Sequence, residues 1–145
     1  MFSKMKRILS KVVMAIILLA SLSACSNHTA AIDALVNELN SPAFRAEEAK
    51  TGLFDDSKAE ISGDKLVITF LCRPFINLSD IKNEQLPELE ASAIDEFKRN
   101  LINEKFVDGL EALRNENMTL LMVWQDVNGK KIEISIDPAK VLPEN

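Results

Sequence analysis

The sequence has no tyrosine, one histidine, one tryptophan, two cysteines and four glycines in 145 residues. Each scarcity excludes something. With only His28 and two thiols, a zinc site of the Cys/His type cannot be assembled. No GxSxG, HExxH, CxxC, GxGxxG or P-loop pattern occurs, so the common signatures of hydrolases, zinc proteases, redox and nucleotide enzymes are missing. The longest apolar run, "VVMAIILLASL" at residues 12–22, has 11 residues. A spanning helix needs ~20. A calcium loop is not spelled out either, because "DDSKAEISGD" lacks the alternating oxygen ligands such a loop requires.

What is present begins at the N-terminus. Lys4, Lys6, Arg7 and Lys11 precede the apolar run, and the small residues Ser23 and Ala24 precede Cys25. A basic segment, a short apolar segment and small residues form the layout of a secretory signal peptide. The ending "LSAC", Leu22 to Cys25, resembles the lipobox of bacterial lipoproteins. The resemblance implies that the Cys25 thiol takes a diacylglycerol, that cleavage falls between Ala24 and Cys25, and that the new amino terminus is acylated. One acyl chain holds a protein only marginally, at ~0.8 kcal/mol per buried CH₂, so stable anchoring takes more than one. The alternative is a plain secretory leader with an incidental cysteine.

The organisation expected is a signal peptide at 1–24, a lipidated tether at 25–29 and one globular domain at 30–145. The leader carries four of the 17 basic residues and none of the 22 acidic ones, so the remainder has a formal charge of −9. An acidic domain repels nucleic acid and anionic headgroups. With Cys25 alkylated, Cys72 is left without a disulfide partner. It lies in register with Leu66, Ile68 and Phe70, which points to a buried apolar role. His28 falls in the tether and reads as solvated.

Ile32, Leu35, Val36 and Leu39 fall on one helical face and predict a helix from Thr29 or Ala30 to Leu39. Ser41 as N-cap, Pro42 at the first helical position and Gly52 past the end predict a short second helix. Gly63-Asp64 predicts a hairpin turn, and Asn128-Gly129 a second. A long helix is expected over about 88–115, bent or broken near Asn103 and weakened at Gly109. A two-residue turn at Asn128-Gly129 would set Gln125, Val123 and Leu121 opposite Ile132, Ile134 and Ile136 on the core face. Leu120, Met122 and Trp124 would then occupy the other face, covered by the N-terminal helix or by a partner protein. That strip is the candidate partner face, since Trp and Met favour interfaces. The adjacent acid pairs Glu47-Glu48, Asp55-Asp56 and Asp95-Glu96 read as solvated faces.

The fold class expected is α+β: an antiparallel sheet of about four strands in two hairpins, packed on one long helix, with N-terminal helices and a possible αββ-αββ pseudo-repeat. With LSAC, "LVITF" and "GKKIEISIDP" in this order of elements, the chain resembles small lipoproteins of Bacteroidota and related bacteria. The element order is also similar to the PepSY and β-lactamase-inhibitor-like modules, which bind other proteins. The function expected is a membrane-anchored binding or structural module of the cell envelope, held by the lipid on Cys25, with an envelope protein as partner and no nucleic acid. No catalytic residue, metal or cofactor is expected. The alternative is a carboxylate-dependent envelope enzyme acting on glycan or peptide, which requires a concave pocket with two or more acidic groups of shifted pKa. Ser26 follows the lipidated cysteine where an aspartate would mark inner-membrane retention, and "SNHTAA" lacks an acidic surface-export cluster. Both favour the outer membrane, facing the periplasm.

Overall fold

The computed structural model describes residues 2–19, 28–99 and 104–143. Among the described residues, six helices and four strands follow one another as α1 (Phe2–Leu19), α2 (His28–Leu39), α3 (Pro42–Lys50), β1 (Phe54–Ser62), β2 (Lys65–Cys72), α4 (Leu86–Arg99), α5 (Glu104–Asn115), β3 (Thr119–Gln125), β4 (Lys131–Ile136) and α6 (Pro138–Val141). The class is α+β, as expected. Single 3-10 turns at Leu78–Asp80 and Asn83–Gln85 join β2 to α4. The expected break near Asn103 lies outside the described residues, and the helices on either side of it are α4 and α5.

The four strands form one sheet in the order β1-β2-β3-β4. Both hairpins pair antiparallel as expected, but β2 and β3 run parallel, so the sheet is mixed. The connection explains the difference. A parallel neighbour needs a long crossover, and α4 and α5 supply one. The hairpin turn at Gly63 takes a left-handed conformation with φ +61°, which glycine adopts without a Cβ clash.

One face of the sheet carries Leu66, Ile68 and Phe70 of β2, Leu120, Met122 and Trp124 of β3, and Ile132, Ile134 and Ile136 of β4, all buried. The helices pack on this face, α2 and α3 over β1, α4 over β4 and α5 on β3. The opposite face carries Lys58, Glu60, Lys131 and Glu133 in solvent. The exposed edge of β1 is blunted locally by Asn40. Its side-chain amide donates to the Ala59 carbonyl and accepts from the Ala59 N–H, both at 2.8 Å, as a neighbouring strand would.

The register of the second hairpin differs from the expected one. Trp124 stands opposite Ile132, Met122 opposite Ile134 and Leu120 opposite Ile136. The loop has three residues, not two, because Asp126 N–H donates to the Lys130 carbonyl at 3.0 Å. Asp126 organises it further: Oδ1 accepts from the N–H groups of Asn128 and Lys130, and Oδ2 from Leu78 N–H at 3.0 Å. Gly129 takes the left-handed position, φ +85°, typical of a three-residue hairpin loop. One residue of register exchanges the two faces completely. Leu120, Met122 and Trp124 are therefore core residues, at most 2 % exposed, and cannot form a partner surface.

The N-terminal segment is helical and part of the core. Met5, Ile8, Leu9, Val12, Val13 and Ile16 recur at helical spacing and are buried, while Lys4, Arg7 and Lys11 face solvent. This α1 packs chiefly against α4 and α3. No helix among the described residues is long and apolar enough to cross a membrane.

Candidate functional site

Ala24 and Cys25, the expected cleavage and lipidation residues, lie outside the described residues. Cys72 is buried, and burial together with the Asp126 charge pushes its thiol up to about 12, against a backbone hydrogen bond that lowers it. It is a packing residue and a poor nucleophile. Among the described residues, no three His, Cys, Asp or Glu side chains converge in a way that could hold a metal ion.

Two features remain. The first is the seat of α1. Lys6 forms an ion pair with Glu88 at the start of α4, and Lys4 Nζ sits 5.3 Å from the centre of the exposed Phe75 ring. Leu9 and Lys6 line a crevice with Ser92, Asp95, Glu96 and Arg99 of α4. The seat thus takes an apolar helical face flanked by lysines, and offers it apolar packing within a rim of Glu88, Asp95 and the Arg99–Glu96 ion pair. The pair Asp95-Glu96, expected as a plain solvated face, forms part of that rim.

The second is a cleft of about 430 Å³ between α3 and β1. Its position follows from local sequence. Ser41 Oγ accepts from Phe44 N–H at 3.2 Å, which with Pro42 fixes the start and phase of α3. Once the phase is fixed, Phe44 and the residue one turn on, Glu48, share the inward face. Both are buried, Phe44 at 0 % and Glu48 at 3 % exposure. On the strand side a bulge at Asp55 lets Phe54 and Ser57 both face inward despite their odd spacing, and leaves Asp55 and Asp56 exposed.

Glu48 and Ser57 line this cleft, and neither Glu48 carboxyl oxygen nor Ser57 Oγ has a hydrogen-bond partner in the protein. Burial, then the neighbouring Glu47 charge, pushes the Glu48 carboxyl up to about 8. Arg45 Nε lies 3.7 Å from Asp56 Oδ1 at the rim, and Arg73 Nε lies 3.7 Å from Asp55 Oδ1. Both pairs are half exposed, so they orient side chains more than they stabilise the fold. Glu48 departs from the solvated reading of the Glu47-Glu48 pair, whereas Asp55 and Asp56 conform to it. The signal that singles out Glu48 is its place one turn beyond Phe44 on a capped helix. Comparison of the chain with family models, with curated proteins and with solved structures gives no match.

Proposed function

We propose that this chain is a bacterial envelope lipoprotein whose domain is a membrane-tethered binding module. Residues 1–24 serve as the export leader, Cys25 becomes the lipidated amino terminus, and residues 30–145 form the module. The observation that supports a binding role is the seat of α1. Cleavage before Cys25 would remove a helix that buries Met5, Ile8, Leu9, Val12, Val13 and Ile16, and would uncover the surface of α3 and α4 beneath it. A contiguous apolar surface on a secreted domain is an interaction site by default. The helix that fills it gives the chemistry of the ligand that suits it: an amphipathic helix with one apolar face and basic flanks that answer Glu88 and Asp95. An envelope enzyme is the weaker reading, because the α3–β1 cleft offers one buried acid, Glu48, beside two solvent-exposed ones.

The test is the mature N-terminus. Expression of the full gene in a bacterium with labelled palmitate should yield a labelled, membrane-bound product that begins at Cys25 by mass spectrometry. Cys25→Ala should abolish the label. A product that keeps residues 1–24, or carries no lipid, refutes the reading.

A further inference from the structure

We propose that the α3–β1 cleft is a binding site for a primary alkylammonium group, with Glu48 and Ser57 as its recognition residues. The cleft is lined by residues between Pro42 and Ser57 and by none of α1, so it is a separate feature from the α1 seat.

Three observations converge on a cation of this shape. First, three buried oxygens that can accept hydrogen bonds receive none from the protein. Glu48 Oε1, Glu48 Oε2 and Ser57 Oγ all lack a partner, and all belong to residues that line one cleft. Leaving such groups unpaired is expensive, and an ammonium head supplies three N–H donors and no acceptor. Second, the charge of the lining is negative. Asp56 leans on Arg45 and Asp55 on Arg73, which leaves Glu48 as the lining acid with no cation beside it. An anion would be repelled by that carboxylate once it is ionised, whereas a cation stabilises the ionised form and so draws the Glu48 proton off on binding. Third, the remaining lining is apolar. Pro42, Ala46 and Ala49 offer a surface for an alkyl stem. The volume, about 430 Å³, falls within the range of small-molecule sites. A lysine side chain presented by a peptide and a free alkylamine share this chemistry.

The experiment is calorimetric titration of the full chain at pH 9, where Glu48 is ionised and n-butylammonium still carries its proton, with n-butylammonium chloride, n-butanol and sodium butyrate in parallel. Saturable binding is expected for n-butylammonium and none for the other two. Glu48→Gln keeps the shape of the residue and removes its charge, and it should weaken n-butylammonium binding by about tenfold or more, as loss of a charge-assisted hydrogen bond does. Ala46→Trp places a large side chain at the solvent-exposed wall, and it should abolish binding while the far-ultraviolet circular dichroism stays unchanged. Repeating the titration with an acetyl-lysyl-amide peptide and with its N-ε-acetylated form separates a presented lysine from a free amine. Equal affinity of n-butylammonium and n-butanol, equal affinity of wild type and Glu48→Gln, unaltered binding by a folded Ala46→Trp, or no saturable binding at all would each overturn the proposal.

Discussion

Replacement of Glu48 by glutamine should change how the stability of this domain depends on pH. The carboxyl titrates at about 8 in the folded chain against an ordinary value of 4.5. Below pH 4.5 it is neutral whether the chain is folded or not, and its burial carries no charge penalty. Between 4.5 and 8 the unfolded chain releases a proton that the native chain keeps. Stability therefore falls as pH rises, by about 1.4 kcal/mol per unit for one such group. Above 8 both states are ionised and the loss levels off. From pH 5 to pH 7 the wild type should lose about 3 kcal/mol from this group alone, a large share of the 5–15 kcal/mol typical of a domain. Glutamine is neutral throughout, and the other titrating groups are common to both proteins. The difference in unfolding free energy, Glu48→Gln minus wild type, should therefore grow by about 3 kcal/mol between pH 5 and pH 7. Urea unfolding followed by circular dichroism at several pH values measures it. A difference that stays constant across that window would show that Glu48 ionises freely in the folded chain and would refute its burial beneath α3.

Three further outcomes are expected. Asp126→Ala removes the acceptor of three backbone N–H groups, those of Leu78, Asn128 and Lys130, and should lower stability by about 3 kcal/mol in thermal unfolding; a loss below about 1 kcal/mol would contradict its role in the loop. Ser41→Ala deletes the cap of α3 and should cost about 1 kcal/mol in the same assay, whereas Ser41→Asp should hold wild-type stability. Cys72 in the folded chain should resist iodoacetamide at pH 8 and react only after denaturant is added, because its thiol is buried and pushed up to about 12; rapid labelling without denaturant would place it at the surface.

The parts of the fold that could be read in advance are those written in short stretches of chain. The Ser41-Pro42 start of α3, the alternation of Leu66, Ile68, Phe70 and Cys72, and the Asn128-Gly129 turn signal are local, and each lies where its chemistry directs. What escaped depends on contacts distant in sequence. Nothing in residues 119–136 states that Asp126 Oδ2 will accept from Leu78, yet that bond helps hold the three-residue loop that sets the hairpin register. The parallel pairing of β2 with β3 depends on the path of α4 and α5, not on either strand. Glu48 escaped because burying an unpaired acid runs against composition. Only the phase of α3, set by its cap, turns it inward beneath Phe44. Such a conflict between local preference and global packing is where function is to be sought in a domain that is otherwise locally consistent.

The indole at position 124 has a practical use. The chain contains no tyrosine and no second tryptophan, so its near-ultraviolet emission comes from one fluorophore. That fluorophore is held edge-on to Phe54, with ring centroids 5.8 Å apart, at full burial on β3, one of the two inner strands. A change in its colour reports water reaching the middle of the sheet and nothing else, while loss of helical ellipticity reports the layer above. Recorded together during unfolding, the two signals would tell whether the layers part in one step or the helices peel away first.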